Sequence, residues 1–123
     1  MSKIFLWIFT FSWALFTLYL TTIPNFSPAK DTILSWILSN GGHFSFFGVQ
    51  ASLLYVSLIP KRDAKTNSII ITSLFGLMIE LIQRSIPGRS FGISDWILDT
   101  LGAICFVTIV RKISNQKFSK NKI

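Results

Sequence analysis

Long apolar stretches separated by short polar segments run through the whole chain. The first covers residues 4–23 and has the roughly twenty residues that a helix needs to cross a hydrocarbon core. It is too long for the apolar region of a typical secretory signal, and no small-x-small cleavage site follows it, so we expect a retained anchor. Pro24 and Pro28 then end the helix and begin a loop.

Three more apolar stretches follow, at about 43–59, 67–83 and 92–110, and Pro60 ends the second. Before it, residues 32–39 form a short amphipathic piece with Trp36, which predicts a helix lying at the membrane interface in the first outer loop. The pattern therefore predicts an all-α, integral membrane four-helix bundle. We expect a single domain over residues 1–123.

Composition supports a membrane protein. Of 123 residues, 50% are apolar and only 14% are charged, which is too little charge to cover a soluble domain of this size. The net charge of +7 comes from short clusters of Lys and Arg beside the apolar stretches, so we expect a lipid bilayer around the chain and no nucleic-acid partner. Cys105 is the sole cysteine, which excludes an intrachain disulfide and a CxxC metal site.

The basic residues predict the orientation. Nine of them fall at the N-terminal end, in the second loop and in the tail from residue 111 onward, whereas three fall on the opposite side. The nine are Lys3, Lys61, Arg62, Lys65, Arg111, Lys112, Lys117, Lys120 and Lys122; the three are Lys30, Arg84 and Arg89. Because Lys and Arg concentrate in cytoplasmic loops, we expect both termini to be cytoplasmic and the tail to lie on the inner surface as a polar, solvated end.

This topology collects polar side chains at the outer end of the bundle. Glu80 and Gln83 are three residues apart and Asp95 and Asp99 four apart, so each pair shares a helix face. Ionisable groups at membrane depth are rare unless they face a bundle interior or a watery cavity, and they mark function. We therefore predict a polar pocket formed by six residues: His43, Glu80, Gln83, Arg89, Asp95 and Asp99.

Structural explanations compete for some of these residues. Glu80 has the spacing to pair with Arg84, or it could pair with Arg89, as a structural ion pair at the membrane interface. Ser94 or Asp95 is suited to cap the fourth helix. Asp99 lies a full turn deeper, where a cap does not sit. Pro87-Gly88 predicts a type II turn that would hold the following arginine over the bundle.

Residues 76–102, GLMIELIQRSIPGRSFGISDWILDTLG, resemble the VanZ-like family of small bacterial membrane proteins. The family's pattern of glutamate, glutamine, P-G-R turn, aspartate, polar residue and glycine matches Glu80, Gln83, Pro87, Gly88, Arg89, Asp95, Asp99 and Gly102. His43-Phe44 is similar to the family's histidine and aromatics at the head of the second span. Two departures are the absence of an Asp-Lys pair before the histidine and an aspartate, Asp99, where asparagine is usual.

The resemblance implies a four-helix, multi-pass protein of the bacterial cytoplasmic membrane, with family members linked to resistance to teicoplanin-type glycopeptides. Three interpretations of the pocket remain open. It binds an anionic or hydroxyl-rich envelope component, such as a lipid-linked cell-wall precursor. It is an intramembrane enzyme that uses His43 with Glu80 or Asp95 in acid-base or metal chemistry. Or it is a structural scaffold or partner subunit, in which the polar core only fixes helix packing. No cofactor or metal is assigned, and no catalytic residue is singled out.

Overall fold

The chain forms four α-helices in a computed structural model that describes residues 2–24, 32–88 and 92–121. Their bounds are Lys3–Thr22 for α1, Thr32–Leu58 for α2, Ala64–Gln83 for α3 and Ile93–Lys120 for α4. No strand occurs in these three ranges. The predicted all-α class is confirmed, and each predicted span overlaps one helix.

The start of α2 differs from the prediction. Residues 32–39 are the first turns of the long helix α2 and not a separate interfacial helix. Gly41 and Gly42 lie between the two predicted elements, and the helix runs through them. Glycine lowers helix propensity without removing a backbone donor or acceptor, so neighbouring turns can carry the helix across it. Asn40 supports the same turns, since its Nδ2 donates to the Trp36 carbonyl at 2.9 Å.

The fourth helix is longer than its apolar stretch. It continues past residue 110 to Lys120, so much of the segment expected to be a polar tail is helical. Lys117 and Lys120 lie in the last turn, where cations interact favourably with the negative end of the helix dipole. The side chains of this extension are mostly exposed, which agrees with the predicted polar character.

Three of the described helices, α1, α3 and α4, are long and apolar enough to cross a membrane. The second helix is longer than α1 and α3, but His43, Gln50 and its glycines and serines lower its apolar content. Large apolar side chains cover the outer surface of the bundle, with Leu15 67% and Leu74 60% exposed. An exposed apolar surface of this extent suits lipid, so the helices form a membrane bundle.

Small residues bring the helices close together. The most extensive packing is between α2 and α4, and α3 packs against both. Gly102 of α4 touches the backbone of Phe44 in α2 so closely that a Cβ there would overlap the Phe44 carbonyl oxygen. Among the described helices, α1 packs only on α2 and α3. Such close contacts drive association where lipid removes the hydrophobic force between helices, and here they fix the level at which the polar side chains of α2 and α4 meet.

Candidate functional site

Polar side chains from three helices meet where α3 ends and α4 begins. Glu80 lies in the last turn of α3, Asp95 and Asp99 lie in the first turns of α4, and His43 comes from α2. The side chains of Glu80 and Asp99 are fully buried, while that of Asp95 is 29% exposed. We call these four residues the acidic cluster.

His43 lies between the two aspartates of α4. Its Nδ1 is 2.8 Å from Oδ1 of Asp99, and its Nε2 is 3.7 Å from Oδ2 of Asp95. Phe47, one turn along α2, stacks nearly parallel to the imidazole, with ring centroids 6.2 Å apart. A carboxylate that accepts from Nδ1–H fixes the ring orientation and leaves the lone pair on Nε2. The structure thus brings together three of the predicted site residues.

The Glu80 carboxylate is held by a backbone N–H and does not pair with Arg84. Its Oε2 accepts from the N–H of Gly92 at 3.0 Å. Its Oε1 is buried and has no hydrogen-bond partner among the described residues. Arg84 is exposed, and no ion pair joins it to Glu80. The alternative in which Glu80 forms a structural ion pair with Arg84 is therefore not found in the structure.

Gln83 points to another helix. It is almost completely buried, and its Nε2 donates to the backbone carbonyl of Thr21 in α1 at 2.7 Å. That contact ties the end of α3 to the end of α1. Gln83 makes no hydrogen bond to the acidic cluster, so the structure places this predicted pocket residue beside the cluster and not within it.

The turn before α4 is described only in part. Gly88 has a φ of 76°, the left-handed value that the third position of a type II turn requires. Arg89, the remaining predicted site residue, lies outside the described residues. The fourth helix begins at Ile93 with Gly92 as its N-cap and no side-chain capping bond. Neither Ser94 nor Asp95 is the cap, and the carboxylate of Asp95 is directed to His43 instead.

Gly76 of α3 lies against Asp99 of the acidic cluster, a role that was not predicted from the sequence. A Cβ at Gly76 would lie 2.8 Å from Oδ2 of Asp99, so α3 must lack a side chain here for the buried carboxylate to fit. Oδ2 itself has no hydrogen-bond partner in the described part of the chain. Gly76 is the first residue of the segment 76–102 that carries the family pattern, and this position is the sequence signal that could have identified it.

A cavity of about 400 Å³ adjoins the cluster between α1 and α2. Its wall combines four hydroxyl residues with apolar side chains and His43; the lining is Thr17, Leu20, Thr21, Ser35, Leu38, Ser39, Gly42, His43, Phe46 and Phe47. Thr17 is fully buried, and its Oγ1 finds no partner among the described residues. A buried hydroxyl without a partner is costly and requires an explanation.

The sequence predicts α1 as an anchor, and the part of α1 in this cavity was not predicted. The available signal was the spacing of Thr10, Thr17 and Thr21, which places three threonines on one face of the helix. Thr10 and Thr17 are the buried residues of α1, and Oγ1 of Thr10 lies 3.0 Å from Oγ of Ser57 in α2. Polar residues on an otherwise apolar helix face the bundle because lipid cannot satisfy them.

The cluster offers two kinds of chemistry. Carboxylates and imidazole can accept hydrogen bonds from hydroxyl groups or exchange protons with them. The same groups can hold a cation, because His43, Glu80 and Asp95 each offer one ligand atom and these atoms lie within 4.8 Å of one another.

Comparison with known proteins supports the family resemblance of residues 76–102 and extends it over most of the chain. The family model described as VanZ/LLP1 matches residues 2–114. No curated protein and no solved structure matches the chain. The matched range contains all four helices except the last residues of α4. The chain therefore belongs to the VanZ/LLP1 family, and with its three long apolar helices it is a multi-pass membrane protein.

Proposed function

We propose that this protein binds the hydroxyl-rich headgroup of an envelope lipid, using the acidic cluster and the cavity beside it. The observation that carries the proposal is the position of His43, which belongs both to the cavity wall and to the cluster. A ligand in the cavity would reach the cluster through this side chain. The buried hydroxyl of Thr17 and the open carboxylate oxygen of Glu80 would then supply further hydrogen bonds.

Charge favours a hydroxyl-rich ligand over an anionic one. The described part of the site holds three carboxylates and one imidazole. Carboxylates accept hydrogen bonds from sugar or glycerol hydroxyls, and they repel a phosphate. Arg89 would be the cation for an anionic headgroup, since its guanidinium can grip phosphate with two parallel bonds. A ligand that carries both groups, such as a lipid-linked cell-wall precursor, would use both parts of the site.

The apolar part of the cavity suits a lipid. Leu20 and Leu38 offer aliphatic surface, Phe46 and Phe47 offer aromatic rings, and the same wall contains four hydroxyl residues. Sites for small molecules combine such an apolar lining with a few placed polar groups. The volume of about 400 Å³ admits a headgroup and the first carbons of its chains.

The distribution of basic residues supports an outer location for this site. With both termini cytoplasmic, the cluster would face the cell surface, where glycopeptide antibiotics of the teicoplanin type act. A protein that holds an envelope component there would lower the access of the antibiotic to it. Resistance is thus the physiological outcome that we propose for lipid binding.

A pair of lipids with the same acyl chains tests the proposal. Purified protein in detergent is titrated with a diglucosyl diacylglycerol and with the matching phosphatidic acid. We expect the glycolipid to bind more tightly, and His43→Gln or Glu80→Gln to weaken it at least about tenfold, since a hydrogen bond to a charged group contributes about 1.5–3 kcal/mol. Asp63→Asn, outside the site, should not change binding. Equal affinity for both lipids, or variants that bind like the wild type, would overturn the proposal.

A second candidate function is acid-base catalysis on the bound headgroup. The hydrogen bond of 2.8 Å between Nδ1 of His43 and Asp99 favours it, because such a bond orients an imidazole as a general base. Mass spectrometry of the lipid after incubation would distinguish the two. Conversion by the wild type that His43→Gln abolishes would indicate an enzyme, whereas lipid recovered unchanged would indicate a binding protein.

A further inference from the structure

We infer that His43, Glu80 and Asp95 form a binding site for a divalent transition-metal ion. One ligand atom from each lies within 4.8 Å of the other two. Nε2 of His43 and Oδ2 of Asp95 are 3.7 Å apart. Metal bonds of about 2.0–2.2 Å in a tetrahedral arrangement put ligand atoms roughly 3.3–3.6 Å apart, so this pair needs almost no movement.

The partner of the other imidazole nitrogen supports the site independently. A histidine that ligates a metal nearly always donates its second N–H to a carboxylate or carbonyl, which fixes the tautomer. Asp99 fills this place, since its Oδ1 lies 2.8 Å from Nδ1 of His43. The lone pair of Nε2 is then available on the side that faces Asp95. A histidine that served packing alone would not need carboxylates at both nitrogens.

Glu80 provides the observation that points to a ligand. The residue is fully buried, its Oε2 is held by the N–H of Gly92, and its Oε1 has no partner among the described residues. An ionised carboxylate oxygen without a partner is strongly disfavoured inside a membrane protein. A cation between Glu80, Asp95 and His43 would give the Glu80 carboxylate a partner. It would also offset the negative charge that three neighbouring acids create.

The donor set limits the class of ion. A neutral imidazole with two carboxylates balances a charge of two and mixes nitrogen with oxygen ligands, which suits Zn²⁺ or Mn²⁺ better than Mg²⁺ or Ca²⁺. Three protein ligands leave a coordination position open, as in catalytic sites and unlike closed structural ones. That position is available to a hydroxyl group of a ligand. Lipid binding as proposed above does not require the metal, and the metal does not require the lipid.

Titration of the purified full-length protein with Zn²⁺, Mn²⁺ or Mg²⁺ tests the inference, with prior removal of metal by a chelator. We expect one Zn²⁺ or Mn²⁺ per chain and no competition from equimolar Mg²⁺. His43→Gln, Glu80→Gln and Asp95→Asn should each weaken binding at least a hundredfold. Asp99→Asn, which leaves every ligand in place, should weaken it about 10–100-fold through the orientation of His43. Asp63→Asn is the matched control and should bind like the wild type.

Circular dichroism on the same samples separates loss of the site from loss of the fold. Folded variants that lose the metal support the site. Absence of binding by the folded wild type would overturn it, and so would folded ligand variants that keep wild-type affinity. The glycolipid titration is measured in the presence of chelator, so a failure of the metal site and a failure of lipid binding give different results.

Discussion

His43 and Asp99 are 56 residues apart in the chain, yet Nδ1 of His43 lies 2.8 Å from Oδ1 of Asp99 in the structure. This hydrogen bond joins α2 to α4, the pair of helices with the most extensive packing. Because Asp99 is fully buried, Oδ1 of Asp99 and Nδ1 of His43 each depend on the other as a hydrogen-bond partner. The geometry of the site and the packing of the bundle are therefore coupled.

Removing the carboxylate of Asp99 should destabilise the bundle. In Asp99→Leu the imidazole nitrogen loses its partner in the interior, and an unsatisfied buried polar group costs about 1–3 kcal/mol. Asp99→Asn keeps an acceptor oxygen and should cost less. Thermal unfolding of both variants in the same detergent measures the difference. Equal stability of Asp99→Leu and the wild type would contradict a stabilising role for this bond.

A methyl group at Gly102 should separate α2 from α4. The added Cβ would overlap the carbonyl oxygen of Phe44, which is backbone and cannot rotate away. We expect Gly102→Ala to lower the free energy of unfolding by about 1–3 kcal/mol, as in other overpacked cores. Gly41→Ala is the matched control, because nothing lies within 4 Å of its new Cβ. Gly41→Ala should stabilise α2 by about 0.5–1 kcal/mol. Thermal unfolding compares the two variants, and a higher melting temperature for Gly102→Ala than for Gly41→Ala would refute the close contact.

Gln83 should matter for stability and not for metal affinity. Its Nε2 donates to the Thr21 carbonyl at 2.7 Å and links α3 to α1. Gln83→Leu should lower the free energy of unfolding by about 1 kcal/mol, while the exposed Gln116→Leu should not change it. The two are compared by thermal unfolding and by Zn²⁺ titration. A loss of metal affinity in folded Gln83→Leu would mean that this side chain belongs to the acidic cluster after all.

Cysteine labelling tests the orientation on which the outer site depends. Cys105→Ser removes the sole thiol, and Ser85→Cys or Ser119→Cys then introduces one at an exposed position near either end of the bundle. We expect a membrane-impermeant maleimide to label Ser85→Cys in intact cells and Ser119→Cys only after permeabilisation. The reverse pattern would put the acidic cluster on the cytoplasmic side.

The sequence predicted the helices better than their ends. Length and hydropathy located α1, α3 and the apolar part of α4, since these signals are local. The sequence predicted residues 32–39 as an element separate from the second span, yet tertiary packing determines whether a helix continues through Gly41 and Gly42. The end of α4 was missed because its last turns are polar and carry no apolar pattern.

The site was predictable in its members but not in its contacts. Topology alone put His43, Asp95 and Asp99 at one level, because the second and fourth predicted spans cross the membrane in the same direction and these residues lie near the starts of those spans. Which side chains touch depends on helix rotation and close packing, and so Gln83 was grouped with the cluster although it bonds to Thr21. The spacing of the α1 threonines was visible in the sequence, but the cavity that Thr17 lines appears only when the helices pack.

The most direct test of lipid binding through His43 is photo-crosslinking with a diglucosyl diacylglycerol that carries a diazirine near the headgroup. Peptide mapping should find the label on cavity residues of α1 and α2, such as Leu20 and Leu38, and this label should disappear in folded His43→Gln. Label spread over the exposed faces of α3 and α4, including Leu74 and Leu81, and unchanged in His43→Gln would show that the lipid only surrounds the bundle. That result would contradict a binding site at the acidic cluster.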